Sequence, residues 1–435
     1  MRIGIIGGGA AGMAAAVTAA ECGAQAVILE KNDRIGKKLL ATGNGKCNLS
    51  NLQFSCGCYH SSDPQRLPPI LAQFTVEDTL AFFQRLGLMI KEKSGYVYPQ
   101  CEQASAVLDV LRFALEYRNV ELETDCRVVG IEKTGKCFLV HIERNDGHYV
   151  REFDRIILAC GSKAGLKKET DENGMELAAA LSLRRIPYTP ALVQLRCGEP
   201  FFKALAGVRC HAQVMLATEE GELAETGELQ LTDYGISGIP VFQLSGYAVR
   251  ALRRQKTLPA FLDFMPDTDE ETWDRTLLAR RKMLEFENME QFFTGTIHKK
   301  IVGVILKLSG IRPQDKVGEV PAKRLLEVGQ KMKRLPVTVT GANGFAQAQV
   351  CAGGIRLTEM TDCLETRRHR GLYAAGEMLD VDGRCGGYNL QWAWTSGVVA
   401  GRAAAGTVNP HRTGSDKNNT NDKNNKNKKT GIGSK

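Results

Sequence analysis

Apolar residues follow two rhythms along this chain. Residues 2–6 are almost continuously apolar, which suits a strand covered on both faces of a parallel sheet. Gly7, Gly9 and Gly12 come next, followed by AAGMAAAVTAAEC, a run of strong helix formers that Gly23 is placed to end. Residues 25–30 (QAVILE) are apolar again. The pattern predicts a strand–helix–strand unit of about 30 residues.

Similar patterns recur late in the chain. FDRIILACGSKAG predicts an apolar strand running into a small-residue turn at Ala159, Cys160 and Gly161. Residues 372–375 predict a short strand; Gly376, Glu377 and Asp380 follow, and Gly386–Gly387 lead into a helix over about 389–405. Between these segments PALVQLRC, VRCHAQVMLATEE, GELAETGELQLTDYGISG and IPVFQLSGYA read as short strands, so a β-rich region is expected over about 190–263. DTDEETWDRTLLARRKMLEFENMEQFFTG and KIVGVILKLSG carry caps and helical spacing. LPVTVTGANGFAQAQVCAGGI then returns to strands.

The three glycines have separate expected tasks. Gly7 turns the chain out of the strand, Gly9 lets a diphosphate approach the backbone, and Gly12 lets the helix pack on the sheet. Ala10 and Ala11 open the helix, whose free N–H groups and partial positive charge suit that diphosphate. Glu30 ends the second strand, where its carboxylate can accept from both adenosine ribose hydroxyls and repel a 2′-phosphate. Strand, glycines, helix, strand and acid in register predict dinucleotide binding.

The continuation favours FAD over NAD. KNDRIGKKLLATGNGKCNLSN is a second glycine-rich, basic and polar loop, as expected for a longer, doubly anionic ligand with a distant end. A strand followed by Gly-Glu and Asp suits a ribityl chain. A glycine pair at a helix start suits N–H groups aimed at the flavin pyrimidine oxygens.

Composition narrows the class. Hydrophobic residues make up 43% of the 435 and charged residues 24%, as in ordinary globular proteins. No run of about 18 apolar residues appears, and no signal peptide is read, so a cytoplasmic protein without a membrane span is expected. The thirteen cysteines are scattered without a C-x-x-C pair, and no histidines cluster at metal spacing. Free thiols and no metal are expected. The net charge is +8, but residues 411–435 hold seven Lys/Arg and two Asp, five of those eight charges. This Asn/Lys-rich tail has little to bury and is expected to be disordered; no aromatic residue interleaves its charges, so nucleic acid is not favoured as a partner.

GGGAAG (residues 7–12), KKLLATGNGKCNLSN (37–51), LTDYGISG (231–238), CAGGI (351–355) and GLYAAGEMLDVDGRCGGYNLQWAWTSGVVAG (371–401) together resemble the HI0933-like flavoproteins, over residues 1 to about 406. The resemblance implies an α/β fold of the two-dinucleotide-binding-domain flavoprotein type. A Rossmann-like FAD-binding domain (1–190 and 340–408) would be interrupted by a β-rich, barrel-like substrate domain (191–264 and 320–339). That domain would carry a helical insertion (265–319), and a basic tail (409–435) would follow. Activities credited to such proteins are reduction of ring double bonds in 3-oxo bile acids and oxidation of aminoacetone. The residues expected at FAD are Gly7, Gly9, Ala10, Ala11, Gly12, Glu30, Lys31, Lys37, Asn44, Gly45, Cys47, Asn48, Val128, Ala159, Cys160, Gly161, Gly376, Glu377, Asp380, Gly387, Tyr388, Asn389, Leu390 and Gln391.

The expected function is reduction of a hydrophobic enone. FAD would carry the hydride, and NADH or NADPH would bind transiently, since no second G-x-G-x-x-G is present. Tyr234 and Tyr388 are the candidate proton donors. Both also read as ordinary packing or backbone-contact residues, His298 as a capping histidine, Cys47 as a packed thiol, and Trp392 and Trp394 as core. An amine oxidase using oxygen and an RNA-associated flavoprotein acting through the basic tail are the alternatives. The sequence leaves the oligomeric state open.

Overall fold

The computed structural model describes residues 1–145, 147–165, 173–219 and 221–407. The basic tail lies outside them.

Arg2–Ile6 forms the middle of a five-stranded sheet, with Gln25–Leu29 and Glu121–Glu123 on one side and Arg155–Leu158 and Leu372–Ala374 on the other. Every pairing is parallel. Ile3, Ile5, Ile28, Ile156 and Leu158 are fully buried, as the apolar runs predict for strands covered on both faces. Helices Ala10–Glu21 and Tyr388–Ala404 cross at very short range. A methyl on Gly397 would come within 2.4 Å of the Ala11 carbonyl oxygen, and one on Gly401 within 2.6 Å of that of Ala15. Small residues on both faces set this separation.

Strands Leu195–Cys197, Gly235–Gly238, Gly221–Thr232, Arg209–Thr218, Leu258–Asp263 and Leu335–Ala342 pair in that order and close into a barrel. The barrel shares a second hydrophobic core, distinct from that of the parallel sheet, with the helices Glu270–Met283, Lys299–Leu308 and Ala322–Lys333. These helices lie between two neighbouring barrel strands. The last of them falls in 320–339, which the sequence reading gave to the β-rich part: Leu325, Val328 and Met332 bury one helical face there. Asp269 and His298 cap two of the helices by accepting from Thr272 N–H (2.8 Å) and Lys300 N–H (3.2 Å).

IPVFQLSGYA is not a strand. It begins the helix Ile239–Leu252, with Pro240 in its first turn and Val241, Leu244, Ser245 and Ala248 buried at helical spacing. Antiparallel strands Arg185–Ala191 and Val350–Ile355 carry the chain between barrel and parallel sheet. No helix among the described residues is long and apolar enough to cross a membrane.

Candidate functional site

The glycine turn is built by contact distances. Gly7 has φ +109°, and a methyl on it would meet the Ala159 carbonyl oxygen at 2.4 Å. A methyl on Gly12 would lie 1.9 Å from the Gly7 oxygen. Gly9 differs: nothing lies within 4 Å of where its Cβ would be. Gly7 and Gly12 close the fold, and Gly9 leaves space open at the helix start. Ala10, Ala11 and Gly12 present first-turn N–H groups that have no acceptor within the helix, and no side chain caps it.

Glu30 is buried at 6% exposure. Its Oε2 accepts from Gly8 N–H at 2.7 Å and its Oε1 from Asn32 N–H at 2.9 Å, so the carboxylate is held at the glycine turn. Cys126 N–H donates to the Glu30 carbonyl (2.9 Å), which brings buried Val128 alongside, while Lys31 continues from the strand end, half-buried.

Three distant segments meet next. Lys38 Nζ lies 2.5 Å from Glu377 Oε2, which also accepts from Ser162 Oγ at 2.9 Å. Ser162 follows Ala159, Cys160 and Gly161, and Gly161 (φ +72°) has nothing within 4 Å of its Cβ position. Lys37 pairs with Asp33 at 2.5 Å. Gly43 and Asn44 are both left-handed (φ 56° and 54°), and Asn44 and Gly45 are exposed. Cys47 is fully buried, and burial pushes its thiol up to about 12 despite a hydrogen bond from Thr42 that opposes the shift. It is therefore a neutral packed thiol. The Asn48 amide faces the carbonyls of Ser50 (2.8 Å) and Val97 (3.1 Å).

The C-terminal segment completes the cradle. Gly376 (φ +69°) donates to Ser396 Oγ at 2.9 Å, and its Cβ position is 2.9 Å from the Ala11 side chain. Asp380 Oδ2 accepts from Ser62 N–H at 2.9 Å. Gly387 (φ +97°) starts the helix Tyr388–Ala404 against the Ser50 carbonyl, 2.5 Å from its Cβ position. Tyr388, Asn389 and Leu390 supply the first-turn N–H groups. The Asn389 side chain holds the loop before them, accepting from Gly383 N–H and donating to Gly383 O, both at 2.8 Å. Gln391 is a core link: it accepts from Ser50 Oγ and donates to Thr79 and Thr395. Trp392 and Trp394 are buried and donate to Gly376 O and Leu49 O.

These residues fit FAD: open backbone at Gly9 and Gly161, two uncapped helix N-termini, and a buried acid at the end of the second strand.

Above the loop before the last helix lies a small cavity with about 10 Å³ of space open to water, lined by His60, Ala191, Leu192, Phe242, Gln243, Gly246, Asp382, Gly383 and Arg384. Neither candidate tyrosine lines it. Tyr234, 37% exposed, sits at a barrel turn and accepts from Asn343 Nδ2 at 3.3 Å. The Tyr388 hydroxyl donates to Gln53 O at 2.9 Å, and burial raises its pKa. The sequence reading passed over His60 and Asp382. The extra acid in LDVDG, just before the glycine pair, was visible in the sequence, but its burial was not.

The family described as "HI0933-like protein Rossmann domain" matches residues 1–403. The chain is 43% identical over 408 residues to a 3-dehydro-bile acid delta(4,6)-reductase of Clostridium scindens, covering 93% of this chain and 99% of the relative. It is 27% identical to a ribosomal RNA dihydrouridine synthase of Escherichia coli, covering 90% and 95%. Among solved structures it is similar to a 3-ketosteroid delta1-dehydrogenase from Sterolibacterium denitrificans (TM-score 0.48, 13% identity, 93% and 99% covered).

Proposed function

The chain belongs to the HI0933-like Rossmann-domain family, and from that premise we propose that this FAD-dependent oxidoreductase reduces a ring carbon–carbon double bond conjugated to a carbonyl, in a hydrophobic 3-oxo steroid of the bile-acid kind. NADH or NADPH is the reductant. The observation that carries the reading is 43% identity, along 99% of its length, to a 3-dehydro-bile acid delta(4,6)-reductase.

Bound FAD supplies hydride chemistry. Gly9, Ala10, Ala11 and the helix they open would hold its diphosphate, Glu30 its adenosine ribose, and the Gly387–Leu390 helix start its pyrimidine edge. FAD would fill this nucleotide site, where Glu30 also disfavours a 2′-phosphate, so the nicotinamide nucleotide would bind elsewhere and leave after reduction. The barrel and its helical insertion would form the substrate side, with the cavity at Asp382 between the two parts.

The chemistry extends to a second reading. Making dihydrouridine also saturates a ring C=C conjugated to a carbonyl, and an RNA substrate is favoured by the 27% identical relative with that activity in its name.

The test is anaerobic titration of the purified yellow protein with NADH and then NADPH, followed by addition of oxidants. Bleaching by a nicotinamide and recolouring by a 3-oxo-4-ene or 3-oxo-4,6-diene bile acid is the expected outcome. Recolouring only by uridine-containing RNA would move the substrate to RNA. Bleaching by amines alone, with peroxide formed in air, would replace the reductase reading with an amine oxidase.

A further inference from the structure

We propose that Asp382 is the catalytic acid of this site, delivering a proton to the substrate carbon α to the carbonyl. The proposal rests on the reductase reading above.

The argument is one of placement. Asp382 and Gly383 form a two-residue antiparallel bridge with Tyr59 and His60, and Asp382 pairs with His60. That bridge fixes Asp382 at the edge of the cofactor loop, five residues before the glycine that starts the last helix. Asp382 is 6% exposed and lines the cavity. Its acidic neighbours are engaged: Asp380 accepts from Ser62, and Glu377 accepts from Lys38 and Ser162. Among the described residues no other residue donates a hydrogen bond to the Asp382 carboxyl. The carboxyl takes a hydrogen bond from its own backbone N–H and none from another residue's side chain, so a nearly buried carboxyl lining a cavity is left costly as an anion.

The charged surroundings agree. Burial is the largest influence on Asp382; Asp380 and Glu377 push the same way, and Arg250, from the helix across the cavity, opposes them. The result is a carboxyl at about 7. His60, from the paired strand, is pushed down to about 4 by burial and then by Arg250 and Arg384, so it is neutral at pH 7. Asp382 is thus the group here that can hold a transferable proton near neutrality.

The step balances. Hydride adds to the β-carbon, and the C=C electron pair shifts toward the carbonyl. The Asp382 O–H bond breaks, its proton forms the new α C–H bond, and the C=O is restored. The substrate gains two hydrogens and the hydride donor is oxidised. The carboxylate regains its proton from water.

The experiment compares wild type, D382N and D382E in separate half-reactions. Flavin bleaching by NADH should be unchanged in D382N. Recolouring by the 3-oxo-4-ene acceptor should slow by roughly 10²–10⁴-fold. In wild type that step should slow about tenfold per pH unit above about pH 7; D382N should be flat, and D382E should recover part of the rate with a displaced profile. Independently of turnover, infrared difference spectra should show a protonated-carboxyl band that vanishes as pH rises through 7 and is absent from D382N. Equal rates and profiles in wild type and D382N would overturn the proposal while leaving the reductase reading intact. An unchanged carboxyl band, or loss of FAD from D382N, would also overturn it. Failure of wild type to be recoloured by any enone would instead overturn the reading, and the proposal with it.

Discussion

Gly12 stands so close to Gly7 that a single added methyl would sit 1.9 Å from the Gly7 carbonyl oxygen. Two residues away Gly9 has nothing within 4 Å of its Cβ position and an ordinary extended backbone (φ −79°, ψ −173°). The same substitution should therefore fail in two ways. Gly12→Ala overpacks the strand–helix turn and should cost at least about 1–3 kcal/mol, seen as a lower melting temperature without FAD. Gly9→Ala should melt like wild type without FAD yet retain FAD at least tenfold more weakly. Equal melting losses would show that Gly9 also serves packing rather than ligand approach.

This contrast also shows what the sequence disclosed. Glycine spacing, flanking apolar runs and Glu30 are local, and buried parallel strands make them conspicuous. Residues 239–252 were harder, because a short apolar run bounded by glycines suits strand and helix alike until packing decides. Asp382 was harder still. Its burial arises from pairing with His60, far away in sequence, and from the barrel helix that closes over both. Nothing in LDVDGRCGG distinguishes a solvated loop acid from one lining a small buried cavity.

The cysteine in the basic loop bears on mechanism. Cys47 is fully buried and its thiol is pushed up to about 12. The thiolate is the reactive form, so Cys47 should resist alkylation in the native protein at pH 8 while exposed Cys56, Cys101 and Cys363 react. Mass spectrometry after timed iodoacetamide treatment, with and without urea, checks this. Rapid native labelling of Cys47 would mean that the loop opens and exposes the thiol.

A buried charge pair joins the barrel to its helical insertion. Lys333 Nζ contacts Asp263 Oδ2 and Met265 O, both at 2.6 Å, with the Lys333 and Asp263 side chains 8% and 10% exposed. Asp263→Ala strands a buried ammonium and should cost about 3–5 kcal/mol in urea unfolding. Asp263→Leu combined with Lys333→Met removes both charges and should recover most of that loss. A double variant as unstable as the single one would assign the loss to the Asp263–Met265 turn, where Asp263 Oδ1 also accepts from Met265 N–H at 2.7 Å.

The cavity at Asp382 has about 10 Å³ open to water, room for roughly one water molecule, whereas sites for polycyclic ligands measure about 300–1,000 Å³. If the proposed steroid binds at Asp382, the barrel side must move from the cofactor loop to admit it. Polar contacts oppose that motion. Arg384 Nη2 donates to both Glu225 oxygens at 2.6 and 2.8 Å, and Gln243 exchanges hydrogen bonds with the Cys385 backbone at 3.0 and 3.3 Å. Glu225→Gln keeps the size of the side chain and removes the charge. It should raise the substrate association rate by roughly two- to fivefold, the scale of a partly exposed ion pair. Salt should accelerate association in wild type more than in the variant, because only wild type has the Arg384–Glu225 ion pair for salt to weaken. Stopped-flow binding of a 3-oxo-4-ene bile acid to the oxidised protein measures both effects. Slower association in the variant would instead make the Arg384–Glu225 pair part of the surface that receives the substrate, since a latch can only slow entry while it is intact.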